Sequence, residues 1–157
     1  MLSRSSASGR RRSGDIVQGS PNQFKLQIVS ADRSLVNETV DEVEVPGADG
    51  YFGVLVGHTP LLALLGTGEL WYRQGSDTHY LLISGGFAEV QPDRVTILAQ
   101  NAERAGEIDI ARAEAAKRRA EERLASPPAD MDFERARIAM LKSLIRLQVA
   151  SRVRIRG

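Results

Sequence analysis

Residues 94–125 read RVTILAQNAERAGEIDIARAEAAKRRAEERLA, and the hydrophobic period changes within them. Val95 and Ile97 alternate with Arg94 and Thr96, the period-two signature of a half-buried strand. After Gly106 the alternation stops. Asp109 to Ala125 contains no Gly or Pro and is rich in Ala, Glu and Arg, all good helix formers. A strand region therefore gives way to a helical region at this point.

Upstream the alternation recurs. Phe24, Leu26 and Ile28 alternate with Lys25 and Gln27, and Val43 and Val45 with Glu42 and Glu44. Leu70 and Tyr72 alternate with Glu69, Trp71 and Arg73. Tyr80 to Ile83 is apolar on both faces, as in an inner strand. Turn signals punctuate these runs at Gly47-Ala48-Asp49-Gly50, Gly66-Thr67-Gly68, Gly75-Ser76-Asp77, Gly85-Gly86 and Pro92-Asp93. Ser84-Gly85-Gly86 is read as a hairpin turn between two strands rather than a phosphate loop. Short strands at this spacing predict an all-β sandwich or barrel.

Downstream, Ser126-Pro127-Pro128-Ala129 ends the first helix, because proline cannot continue the hydrogen-bond ladder. Asp130 is the expected cap of a second helix, with Asp132 and Glu134 in its positive first turn, running to about Arg154. Phe133, Ala136, Met140, Leu144 and Leu147 are expected on its buried face, widened by Ile138, Leu141, Ile145 and Val149. The short loop predicts an antiparallel α-helical hairpin. The first helix offers mainly Ala113, Ala116 and Ala120, which bury little area. Such a hairpin is marginal alone, needs the sandwich or a partner, and is expected to be mobile.

The 157 residues carry a net charge of +1 that conceals a large asymmetry. Residues 1–22 carry +3, residues 23–107 carry −7 and residues 108–157 carry +5, which reads as modules with different partners. Residues 1–22 read as a disordered basic tail; a transit peptide or an early start codon also fits. The longest apolar run, Pro60 to Leu65, is far short of the ~20 residues of a membrane helix. The absence of cysteine excludes disulfides, thiol nucleophiles and cysteine-bound metals. Only His58 and His79 supply imidazole, and both are read as structural; Glu42 and Glu44 are read as a solvated strand face. There is no P-loop and no Gly-x-Ser-x-Gly elbow. No acid, base and nucleophile assemble, so the chain reads as a binding or regulatory protein with no catalytic residues and no required cofactor.

Two stretches are specific. One runs from Val43-Glu44-Val45-Pro46-Gly47-Ala48-Asp49-Gly50-Tyr51-Phe52-Gly53-Val54-Leu55 into Gly57-His58-Thr59-Pro60-Leu61-Leu62. The other is Ser84-Gly85-Gly86-Phe87-Ala88-Glu89-Val90, followed by Val95-Thr96-Ile97-Leu98-Ala99. Together they resemble the epsilon subunits of F-type ATP synthases over about residues 23–155. Val56 departs from the family, which commonly has proline before Gly-His, and so does the tail. The resemblance implies a non-catalytic central-stalk subunit. Residues 23–107 would form a β-sandwich on the gamma subunit and the c-subunit ring. Residues 108–157 would form a regulatory hairpin that extends to inhibit ATP hydrolysis. Its Arg135, Arg137, Lys142, Arg146, Arg152 and Arg154 would then meet an acidic loop of the catalytic beta subunits, within the head formed by the alpha and beta subunits. The location implied is peripheral, on the cytoplasmic face of a bacterial inner membrane. The mitochondrial counterpart is a weaker match, because its C-terminal part lacks the nucleotide motif.

That motif, Ile/Leu-Asp-x-x-Arg-Ala, binds regulatory ATP on the folded hairpin of some bacterial members. Ile108-Asp109-Ile110-Ala111-Arg112-Ala113 matches it in full. Glu103, Arg119, Lys142 and Arg146 fall on the family's other nucleotide positions. Lys142 stands where the best binders have Arg, keeping the charge but losing the guanidinium fork. The other reading makes Asp109 a helix cap and Arg112 and Arg119 a solvated face. A competing class for the whole chain is a nucleic-acid or scaffold adaptor using the basic tail and hairpin. It is disfavoured because aromatic residues are only 5% and do not interleave with the basic ones.

Overall fold

The computed structural model describes residues 22–155. Eight strands come first: β1 Phe24–Val29, β2 Ser34–Val40, β3 Glu42–Gly47, β4 Gly50–Val54, β5 Leu61–Leu64, β6 Thr67–Gln74, β7 Asp77–Gln91 and β8 Arg94–Arg104. A 3-10 turn, Ala105–Glu107, leads to α1 Ile110–Ala125 and α2 Phe133–Ile155. The basic tail expected over residues 1–22 lies, but for Asn22, outside the described residues.

The long β7–β8 hairpin organises the strands. It is paired from Gln91↔Arg94 to Leu81↔Arg104. The first half of β7 pairs with β6, from Gln74↔Asp77 to Thr67↔Ser84, while its second half pairs with β5, from Leu64↔Phe87 to Leu61↔Val90. β1 runs parallel to the first half of β8 and antiparallel to β2. One layer is therefore β2-β1-β8-β7-β5 and the other β4-β3-β6-β7-β8, sharing the hairpin. Their inner faces meet in one core, with Leu26, Ile28, Val90, Val95 and Ile97 from the first layer and Val43, Val45, Leu70, Leu81 and Ile83 from the second. Each fully buried Leu or Ile contributes about 1.5–3 kcal/mol. The sandwich is thus the stable part of the chain.

The hairpin turn expected at Ser84-Gly85-Gly86 is instead a bend inside β7. Gly85 and Gly86 take φ of 71° and 107°, yet the ladder to β8 keeps its register from Ser84↔Asn101 to Gly86↔Ala99. Two consecutive left-handed residues swivel the strand between layers without reversing it. The chain reverses at Pro92-Asp93. A side chain at Gly86 would run into the Leu98 carbonyl.

The helices form as expected, with two corrections. Asp109 caps α1 by accepting from the Arg112 N–H at 3.0 Å. α2 is capped by Asp132, which accepts from the Arg135 N–H at 3.1 Å, rather than by Asp130. The buried face of α2 is also rotated from the expected stripe. Ala136 and Val149 of that stripe are buried, whereas Phe133, Ile138, Leu141 and Leu144 are exposed, and Ser143 and Ala150, outside it, complete with Ala136 a buried row at intervals of seven. They face a helix whose own buried residues, Ala113 and Ala120, are also seven apart. Small residues let the two axes approach, and close approach wins over large apolar area at this seam.

Gly86→Ala is expected to lower the stability of the sandwich by about 2 kcal/mol or more, from the left-handed backbone and the carbonyl clash. Gly53→Ala, in open space at an ordinary φ, is the near-neutral control; urea unfolding compares them.

Candidate functional site

The outer face of the second layer carries an ordered row. Glu69 on β6 pairs with Leu82 on β7, and Leu82 with Glu103 on β8. The row spans roughly 9–10 Å, two interstrand spacings. On α2, Arg146, Val149 and Arg152 share a face and span roughly 9 Å, six residues at 1.5 Å each. The two patterns match. Arg152 donates Nε–H to Glu69 Oε2 at 3.1 Å and Nη2–H to Oε1 at 3.0 Å. Arg146 donates Nε–H to Glu103 Oε2 at 3.0 Å. Between them, Val149 and Leu82 are both essentially fully buried.

The two ion pairs differ in weight. Arg146 and Glu103 are each about one-third exposed, so that pair contributes about 0–1 kcal/mol. The Glu69 side chain is only 8% exposed. Removing its arginine would strand a buried carboxylate, at a cost of roughly 3 kcal/mol. Donating to the Glu69 carboxylate also raises the Arg152 pKa above the ordinary arginine range.

Where α1 leaves the sandwich, Glu103, Glu107, Asp109, Arg112, Arg119 and Arg146 line a groove of about 380 Å³. Five of the six residues expected to hold a nucleotide meet here, and Lys142 lies outside the lining. The three acids are already engaged. Glu103 holds Arg146, and Asp109 Oδ1 caps α1. Glu107 takes both Nη groups of Arg33, at 2.6 and 3.2 Å. That hydrogen bond holds the Glu107 carboxyl below its ordinary value of 4.5. Arg112 and Arg119 have no ion pair among the described residues and stand two turns apart, roughly 10 Å along the axis. The groove thus offers two unneutralised guanidinium groups to an elongated anion.

The cations expected to meet an acidic loop do not form one surface. Arg135 and Arg137 are exposed, with Arg137 beside Glu134 at 3.7 Å. Lys142 is half-buried, while Arg146 and Arg152 are tied to the sandwich. The Arg154 side chain lies outside the described residues. His79 stacks on Tyr72 with centroids 4.9 Å apart, and His58 Nδ1 lies 2.7 Å from the Thr59 carbonyl oxygen. Glu42 lies 3.5 Å from Arg73.

The first layer presents a different outer surface. Leu64, Phe87 and Leu98 are side by side across β5, β7 and β8, and 60%, 50% and 53% exposed. Leu62 continues the same face. A contiguous exposed apolar row of this kind marks an interaction surface.

Residues 23–105 match the family model described as ATP synthase, Delta/Epsilon chain, beta-sandwich domain, and residues 107–151 match that of its long alpha-helix domain. The chain belongs to the ATP synthase delta/epsilon family. Its function is that of an epsilon subunit in the central stalk of the F-type enzyme. The ATP synthase epsilon chain of Syntrophobacter fumaroxidans is 48% identical over 130 residues, covering 83% of this chain and 97% of the relative. That of Nitratidesulfovibrio vulgaris is 48% identical over 124 residues, covering 79% and 92%. Among solved structures, a chain of the Euglena gracilis mitochondrial ATP synthase OSCP/F1/c-ring superposes with a TM-score of 0.62 at 26% identity, covering 89% of this chain and 85% of that one. A Tetrahymena thermophila central-stalk/c-ring chain shares the fold at 12% identity and a TM-score of 0.50. This membership removes the basis for the adaptor reading. No helix among the described residues is long and apolar enough to cross a membrane.

Sequence reasoning missed Glu69 and Glu107 as anchors. Each meets its arginine across 83 or 74 residues of chain, and no local pattern signals such a pair. The lowered Glu107 pKa means that its contribution to stability is full above pH 4.5 and is lost as pH falls through the lower folded value. Glu107→Gln is expected to be less stable than wild type at neutral pH, with the gap closing below pH 4.5; thermal unfolding across pH measures it.

Proposed function

We propose that this chain is a non-catalytic rotor subunit that couples proton flow to ATP synthesis and restrains ATP hydrolysis through its hairpin. The observation that carries this reading is how the hairpin is attached. It rests on the sandwich through a short charged row closed around Val149 and Leu82, while the sandwich has a core of its own. An element held in this way can leave without unfolding what it leaves behind. The Leu64–Phe87–Leu98 row is the surface assigned to the gamma subunit, with the c-ring and the catalytic alpha and beta subunits completing the partners. The protein works peripherally on the cytoplasmic face of a bacterial inner membrane.

In this reading α2 carries the brake. Arg135 and Arg137 are exposed in the folded form, and extension frees Arg146 and Arg152 to join them toward an acidic loop. The Arg112–Arg119 groove takes regulatory ATP, whose phosphates bridge α1 to Arg146 and hold the hairpin folded. Any shift in the equilibrium equals the difference in nucleotide affinity between the two forms.

Removing residues 108–157 is expected to leave assembly and coupled synthesis largely intact and to raise ATP hydrolysis severalfold in isolated membranes. Loss of assembly would contradict this division of labour. Calorimetric titration with millimolar ATP is expected to give saturable heat that vanishes when Arg112 and Arg119 are both changed to Ala. No heat from the wild-type chain would overturn the nucleotide reading.

A further inference from the structure

The place where Arg152 lands is more elaborate than a single ion pair requires. Glu44 on β3, Trp71 on β6 and Tyr80 on β7 form one cross-strand row, adjacent to Glu69 on the same face. These residues, with Tyr51 and Gln148, line a cavity of about 370 Å³ around Arg152. The Glu69 carboxylate meets the guanidinium in a two-point fork at 3.1 and 3.0 Å. Arg152 Cζ sits 5.0 Å from the centroid of the Tyr80 ring. The Tyr51 hydroxyl accepts the Glu69 backbone N–H at 3.2 Å, fixing the strand from which the carboxylate projects. Glu44 brings a second carboxylate and has no ion pair among the described residues.

A planar fork acceptor, an aromatic face and excess negative charge together are the chemistry that recognises guanidinium. An ammonium satisfies the charge but neither the fork nor the planar contact. The floor of the site belongs wholly to the sandwich; only Gln148 and Arg152 come from α2. We infer that the sandwich carries a built arginine-binding pocket, with Arg152 as its resident ligand while the hairpin is folded. When α2 lifts, the carboxylate and ring remain in place, open to an arginine side chain of a neighbouring protein. The pocket itself goes beyond the proposed stalk role, its opening to a neighbour rests on the hairpin release proposed above, and neither depends on nucleotide.

Trp71, the only tryptophan in the chain, lines the pocket and reports on it. The probe is N-acetyl-arginine amide, titrated into the full chain while Trp71 fluorescence is followed. Wild type is expected to be silent in the millimolar range, because Arg152 competes at high effective concentration. Arg152→Ala is expected to give a saturable change, at least tenfold weaker with N-acetyl-lysine amide and absent when Glu69→Gln is added. An unresponsive Arg152→Ala chain, or equal responses to the two amides, would overturn the inference. Arg152→Lys, which keeps the charge, covers the case in which the alanine variant does not fold. Its α2 C-terminal amides are expected to exchange hydrogen at least tenfold faster than wild type while the β6 and β7 amides are unchanged. Unchanged α2 exchange would show that charge alone suffices and would refute a guanidinium-specific site.

Discussion

The match between a helix face and a sheet row underlies the arrangement of the whole chain. Arg146, Val149 and Arg152 repeat along α2 at the spacing at which Glu103, Leu82 and Glu69 repeat across β8, β7 and β6. Charge meets charge at both ends and apolar meets apolar in the middle. Shifting α2 by one residue along its axis would rotate all three positions off the row, so the docking has one register. Each strand contributes one residue, and so the row exists only after β6, β7 and β8 have paired. The helix is therefore positioned by the paired strands of the sandwich.

That hierarchy accounts for the uneven distribution of apolar residues. The sandwich closes around Leu26, Ile28, Leu70, Leu81, Ile83 and Ile97, all buried to within 1%. The hairpin closes around Ala113, Ala120, Ala136, Ser143 and Ala150, which bury far less area each. Four of its larger residues, Phe133, Ile138, Leu141 and Leu144, face outward. The folded hairpin thus stores exposed apolar surface beside exposed cations, the composition of a surface that meets another protein elsewhere. The charge asymmetry read from the sequence has the same basis, since the acidic sandwich and basic hairpin attract each other at the row.

The sandwich was legible because burial on one face writes a period of two into every strand. The bend at Gly85-Gly86 was not, since a glycine pair permits left-handed backbone in a reversing turn and in a continuous strand alike. The α2 seam was misread for a related reason. Counting apolar residues found Ala136 and Val149, which are buried, but missed Ser143 and Ala150, which are buried because small side chains allow closer approach. Asp130 and Asp132 are equally good caps in isolation, and the observed start of α2 decides between them. The six residues expected at the groove at the foot of α1 were named through the family resemblance rather than through spacing, and five of them come together there. Arg152 was named for another role, and its attachment to Glu69 depends on where two distant elements come to rest.

The unbroken β7–β8 hairpin has a mechanical consequence. Phe87 and Leu98, in the exposed row of one layer, lie on the same two strands as Leu82 and Glu103, under the helix in the other. Five residues of strand separate Phe87 from Leu82, roughly 16 Å. No loop interrupts that path, and the bend within it leaves no room for a side chain at Gly86 beside the Leu98 carbonyl. A load applied to the outer row therefore reaches the seat of α2 through two covalent chains cross-linked by their ladder. The two outer surfaces of the sandwich are thus joined through continuous paired strand, with no turn between them.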